Sequence, residues 1–438
     1  QLFPPLPDQD SETARIEFIA RDVPPMGYKT FYLARAAKSG TAAPAGVATK
    51  ANPLPRQIVH ENGYYRVTLG PGGIESLYDK ELGRELLDTA KFKGFEVFTM
   101  RSVGNGAGEF GRVQQPTMDG FDHLSRHTPL WTMDRAESGP VRTVYAMKQA
   151  LPDCEVRERI IVYESIKRID CEVELKGWDG SPYREYRIAL PVAVPLGPQG
   201  QVAYDVPMGV VEVGRSEVKG TGGPAYGQLN YDEEMSDIRP REAQNFLSAT
   251  EKDGAGRPIY TVTMSTSVAV NDYADPTSGD AGGPMTSTLL QGVLLASRRS
   301  CHGEGNWYLQ EGDHRYRFSV TSNAASWRSD FKPGVGANAP FFAVVEPETA
   351  GQGAGDPKGI PSYPEEMSFF NISGDHIVAS TVKKAEDDDS VIMRFYSLRG
   401  SEAEAEITAF APFSKAELVN MIEQEGKRRS WFFSTPKG

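Results

Sequence analysis

The sequence predicts an all-β protein: one large antiparallel sandwich, accompanied by a smaller β-sandwich formed from the two chain ends. Three observations carry that expectation. Short runs of alternating apolar and polar residues recur along the chain, the period of strands with one wet face. Glycine (44) and proline (31) are abundant and fall in the gaps between those runs, where turns need them. Helical periodicity is scarce; KAELVNMIEQEGKRR (415–429) shows a weak 3.6-residue pattern, and a strand followed by a charged loop fits it equally well. At 438 residues the chain exceeds one ordinary core.

Taken in order, ARIEFIARDV (14–23) and KTFYLARA (29–36) alternate around the turn PPMGY and read as two strands. The stretch AKSGTAAPAGVATKANPLP that follows is small, Pro-rich and aperiodic, as a linker is. In ENGYYRVTLGPGGIESLYDKELGRELLD (61–88), YYRVTL and GIESLYD flank a Gly-rich turn, and a charged turn closes the unit. FEVFTMRS, RTVYAMKQAL, EVRERIIVYE, RIDCEVELKGW, YREYRIALPVAV and VAYDVPMGVVEV extend the series, and PIYTVTMSTSVAVNDY, TSTLLQGVLLA, HRYRFSVTS and FFAVVEP continue it. A second Gly/Pro stretch, TAGQGAGDPKGIPSYPEE, marks another crossing, and VASTVKK and SVIMRFYSL flank an acidic AEDDD loop as a hairpin would. The expected division is a small sandwich from 1–40 and 366–438, linkers at 41–56 and 349–365, and a large sandwich over 57–348. Neither end can build a core alone, since an isolated hairpin is marginal in water. The ends are therefore expected to pair.

Charge and composition exclude several functions. A formal charge of −12, with no basic stripe, argues against nucleic acid as a partner. No apolar run reaches the ~20 residues of a membrane span. QLFPPLPDQDSETARIEF lacks the basic and apolar regions of a signal peptide. Cys154, Cys171 and Cys301 have no metal-ligand spacing and read as structural thiols. His123 and His127 stand four apart, a zinc spacing on a helix, but their flanks DGFD and TP favour hydrogen-bonded loop histidines. No metal site is expected in this chain. Neither a nucleophile elbow nor a phosphate-cradling loop occurs, and GNGAGEFG (104–111) follows a strand without opening a helix. Among 59 carboxylates abundance selects no catalytic pair. No catalytic residue is assigned.

Three loops are unusually rich in polar and aromatic groups. RSVGNGAGEFGRVQQPTMDGFDHLSRHTPLW (101–131) has little strand pattern and reads as a long insertion. SRRSCHGEGNWYLQEGDH (297–314) brings Arg298, Arg299, His302, Trp307 and Tyr308 close in sequence. Aromatic faces beside planar, multi-donor groups suit sugars. YDEEMSDIRPREAQNF (231–246) is acidic and expected to be exposed.

The unit at 61–88 resembles the start of the C-terminal β region of glycoside hydrolase family 38, the retaining α-mannosidases. RDVPPMGYKTFYL, REYRIALPV with YDVPMGVVE, EGDHRYRFSVTS and VKKAEDDDSVIMRFYSLRG resemble further family segments, in family order. The large sandwich is similar to the galactose mutarotase-like supersandwich. The resemblance implies hydrolysis of terminal α-D-mannosides by a retaining, zinc-assisted mechanism. Its aspartate nucleophile, acid/base aspartate and zinc ligands would lie in an N-terminal domain absent from this chain, which alone would be inactive. Implied partners are that domain and α-mannoside oligosaccharides or glycoconjugates. In animal members a Ser-Gly-Ala-Tyr loop brings a tyrosine to the substrate. AGEF (107–110) takes a similar place and puts Phe110 there, beside Glu109; Phe110 can stack on a sugar but cannot hydrogen-bond to it. The family's Arg-Arg strand and its arginine loop resemble SRRSCHGEGNW, which makes Arg299, His302 and Trp307 substrate-binding candidates. The alternative is a freestanding carbohydrate-binding or structural β-sandwich without activity.

Overall fold

The structure is a computed structural model that describes residues 16–32, 56–103, 117–216, 241–277, 285–299, 306–345, 364–374, 376–398 and 404–424. The chain divides into two compact units, Gln1–Thr41 with Phe342–Gly438, and Ala42–Phe341.

The larger unit is built on antiparallel sheets. A nine-stranded sheet runs Gly209–Glu212, Gly200–Val206, Phe246–Lys252, Pro258–Thr266, Gly312–Asn323, Ile169–Trp178, Glu155–Tyr163, Arg142–Ala150 and Thr132–Ser138. A six-stranded sheet runs Arg241–Glu242, Val270–Asp272, Ser287–Ala296, Arg184–Pro195, Glu96–Val103 and Thr117–His123. One apolar core takes side chains from both: Val156, Ile160, Val162 and Phe318 from the first, Ile188, Leu190, Leu290 and Leu294 from the second. The alternation read in EVRERIIVYE explains how. Val156, Glu158, Ile160 and Val162 are buried, while Arg157 faces solvent.

The 61–88 unit forms three strands of a four-stranded sheet, Ile58–Glu61, Tyr65–Gly70, Gly73–Asp79 and Arg84–Glu85. Gly72 and Gly73 take φ of 71° and 144° in the first turn, which a side chain would resist. In the second turn Asp79 Oδ1 accepts the amides of Glu81 and Leu82 at 2.9 and 3.0 Å, and Gly83 sits at φ 67°. Asp79 Oδ2 accepts the Ser322 hydroxyl at 2.6 Å, and Tyr65 Oη lies 2.8 Å from Ser322 Oγ. The charged turn thereby fastens this sheet to the nine-stranded one.

In the smaller unit, Gly27–Lys29 pairs antiparallel with Glu366–Ser368, so the two chain ends share a ladder. Tyr28 Oη donates to the Pro364 carbonyl at 2.6 Å. Ile377–Lys384 and Val391–Ser397 form the hairpin around AEDDD, and Phe370–Ile372 pairs with Ile407–Ala409.

Several expectations give way. Residues 16–23 form no strand; Gly27–Lys29 takes the available partner, and Phe18 packs on Phe31 at 5.0 Å instead. FFAVVEP forms no strand over 341–345, and no helix or long strand forms over 415–424. The insertion is shorter than expected, because Thr117–His123 pairs with Glu96–Val103. Most of the acidic loop, 231–240, lies outside the described residues, and at its described end Arg241, Ala243 and Phe246 are buried rather than exposed. A helix at Trp327–Gly336 was hidden by its glycines and Pro333; buried Trp327 and Phe331, four apart, fix its inner face.

Candidate functional site

The long strand Ser287–Ala296 ends at Ser297, and the chain continues as Arg298–Arg299, paired with Trp307–Tyr308. Backbone bonds set this hairpin against the start of Arg184–Pro195: Ser297 donates to the Arg184 carbonyl and Tyr183 to that of Ser297, both at 2.8 Å. The buried Trp178 indole donates to the Leu309 carbonyl at 2.6 Å and holds the outgoing strand.

Strand pairing then places the side chains. Arg299 and Trp307 are register partners, and the Arg299 guanidinium lies 5.2 Å from the centre of the Trp307 ring. Tyr183, at φ 58°, meets the same indole edge-on at 5.1 Å. Trp307 is 39% exposed and Tyr308 57%. Trp307, open to water with a guanidinium stacked on it and Tyr183 at its edge, forms a platform of the kind that binds sugar rings, while Tyr308, next along the strand, faces the other side.

Arg298 points the other way in the strand alternation. One of its terminal nitrogens bonds to Glu185 Oε2, and Arg187 Nε donates to Glu185 Oε1 at 2.6 Å. Arg187 Nη1 continues to Gln291 Oε1 at 3.2 Å and Asp272 Oδ2 at 3.4 Å. Glu185, Arg187 and Asp272 are buried. Burial alone would raise the Glu185 carboxyl, but the guanidiniums of Arg187 and Arg298 outweigh it and hold the group below the ordinary carboxylate range. Burial likewise opposes the charge on Arg187, and Glu185 and Asp272 restore it. With both oxygens engaged by cations, Glu185 is a fixed acceptor rather than an acid or base.

Of the candidates read from sequence, Arg299 and Trp307 are brought together. Glu109, Phe110 and His302 lie outside the described residues. Tyr183 and Glu185 were missed. A charged residue in the buried phase of REYRIALPV was the available signal, but sequence alone does not say which phase is buried. His127 Nε2 lies 2.6 Å from Asp122 Oδ1, whereas His123 is buried with Nδ1 3.4 Å from Glu96 Oε1. Among the described residues no group of three His, Cys, Asp or Glu side chains could hold a metal ion. Cys154 and Cys171 are free and buried; burial pushes the Cys154 thiol up to about 12. No helix among the described residues is long and apolar enough to cross a membrane.

Comparison with known proteins shows what the chain resembles. Residues 376–433 match the family model described as glycosyl hydrolases family 38 C-terminal beta sandwich domain. The fold is shared with two solved structures from Enterococcus faecalis. A protein in glycosyl hydrolase family 38 has a TM-score of 0.59 at 12% identity, covering 86% of this chain and 42% of its own. An alpha-mannosidase from strain V583 has a TM-score of 0.56 at 12% identity, covering 82% of this chain and 38% of its own. The chain thus spans less than half the length of either. A galactose mutarotase-like protein from Lactobacillus casei ATCC 334 also matches, with a TM-score of 0.35 at 12% identity over 61% of this chain and 100% of its own. No curated protein matches the sequence. Residues 376–433 thus resemble the C-terminal β-sandwich domain of glycosyl hydrolase family 38, and the all-β fold is similar to that of the two Enterococcus faecalis structures.

Proposed function

We propose that this chain is the C-terminal β region of an α-mannosidase-like glycosidase and supplies one wall of its sugar cleft. Terminal α-D-mannosides are the substrates on this reading, cleaved with retention and zinc assistance by residues of an N-terminal catalytic portion. On this reading the metal is held by that portion. The observation that supports the reading is the Arg299–Trp307–Tyr183 platform, in a chain whose residues 376–433 match the family 38 C-terminal domain. A stacked indole and guanidinium can orient a sugar ring, and a platform on sheet ends holds that orientation better than a mobile loop.

The chain alone and the chain joined to the polypeptide encoded upstream in its gene should be assayed with an aryl α-D-mannoside. The joined protein is expected to turn over and the chain alone to be silent. Turnover by the chain alone would overturn the proposal, and an open reading frame beginning at Gln1 would favour the freestanding sandwich.

A further inference from the structure

We infer that a cleft on the solvent face of the nine-stranded sheet binds a sugar phosphate. Arg317, Arg315 and Ser267 take the phosphate, and Glu172 takes a ring hydroxyl. The cleft shares no residue with the Trp307 platform, and it stands whether or not the glycosidase reading holds.

Strand register builds the cleft, which has a volume of about 680 Å³. Lys148, Arg157, Glu174 and Arg315 stand opposite one another on four neighbouring strands. Ala146, Arg159, Glu172 and Arg317 form a second row beside them. Within each strand the two residues are two apart, so all eight side chains leave the same face.

Most charges in these rows are satisfied. Arg159 donates to Glu172 Oε2 at 2.8 Å and to Glu137 Oε1 at 3.1 Å. Arg157 Nη1 donates to Glu174 Oε2 at 3.3 Å, and Arg315 Nε to Glu174 Oε1 at 3.0 Å. Arg317 differs. Its register partner Glu172 is turned to Arg159, and exposed Arg317 makes no ion pair among the described residues. Asp170, whose carboxyl feels the Arg317 charge, is taken by Arg168 at 2.8 Å and by the Tyr163 hydroxyl at 2.7 Å. Two further donors accompany Arg317. Arg315 lies ~7 Å along the same strand face and commits only its Nε. Ser267 Oγ accepts the Arg317 amide at 2.8 Å, and its own proton remains to donate.

Two guanidiniums and a hydroxyl match the three terminal oxygens of a phosphomonoester and its charge of about −2 at neutral pH. Glu172 gives only Oε2 to Arg159, so Oε1 is an acceptor beside that patch. It repels a bare anion, whereas a ring hydroxyl donates to it. Tyr316 is the aromatic residue of the lining and packs against the core, so a nucleobase finds no face to stack on. A phosphorylated sugar fits these groups better than a nucleotide or free phosphate.

The test is calorimetric titration of the whole chain with glucose 6-phosphate, glucose 6-sulfate, glucose and inorganic phosphate. Glucose 6-phosphate is expected to bind with a Kd of ~1 mM or tighter, inorganic phosphate about tenfold more weakly, and glucose not at all. Arg317→Gln should weaken glucose 6-phosphate about tenfold without lowering the melting temperature. Lys332→Gln, which removes a charge on the helix Trp327–Gly336, should change nothing. Glu172→Ala should reduce the preference for glucose 6-phosphate over phosphate. Absence of glucose 6-phosphate binding, or binding that Arg317→Gln leaves unmoved, overturns the site. Equal binding of inorganic phosphate overturns the role of the sugar, and equal binding of the sulfate overturns the choice of phosphate.

Discussion

Glu158 stands in the inward phase of its strand, between Met147 and Val173 on the neighbouring strands. It is fully buried, and burial, with Glu96 adding repulsion, pushes its carboxyl up to about 8. The folded protein therefore keeps the proton on Glu158 from the ordinary carboxylate range up to about 8, whereas the unfolded chain releases it near 4.5. Where the unfolded state binds fewer protons, stability falls as pH rises, by about 1.4 kcal/mol per pH unit for one group. The contribution is complete below the unfolded value and is lost as pH climbs to about 8. Glu158→Gln, neutral at every pH, is expected to flatten the fall of melting temperature between pH 5 and pH 8. An unchanged slope would place the titration elsewhere.

At the scale of elements, the six-stranded sheet packs on the nine-stranded one at a position where its strand lacks a side chain. A Cβ on Gly292 would lie 2.8 Å from Phe318 and 2.9 Å from Val268, both apolar groups in the packed interior. Overpacking of this kind costs about 1–3 kcal/mol. Gly292→Ala is expected to destabilise by that amount in urea unfolding, against no measurable effect for Gly63→Ala, where nothing lies within 4 Å. The strand TSTLLQGVLLA was legible from its apolar run. That its glycine marks a crossing of sheets was not, because the partner Phe318 belongs to HRYRFSVTS, a segment distant in sequence. The hairpin around AEDDD was legible for the opposite reason: alternation and turn residues lie within one short segment.

For the whole molecule, the ladder between Gly27–Lys29 and Glu366–Ser368 ties the two chain ends into one unit. The ladders described in that unit are two-stranded, and such pairs hold little stability alone. Deleting residues 1–32 is therefore expected to abolish amide protection over 366–369 and leave protection in 142–195 unchanged in hydrogen exchange. Retained protection over 366–369 would show that the ladder contributes nothing. The proposed glycosidase role belongs to this scale too, because the acid, the nucleophile and the metal it needs are expected outside this chain.

By itself, the sequence determined the all-β class, the hairpin turns and the identity of the polar, aromatic loop that carries Arg299 and Trp307. Those features follow from period-two patterning and turn chemistry, which act between near neighbours. Tertiary structure alone decided that Tyr183 closes on Trp307, that Arg298 is anchored on Glu185, and that the helix Trp327–Gly336 forms against Phe246. Each depends on which face of a strand is buried and on which distant segment lies against it, and local patterning contains neither.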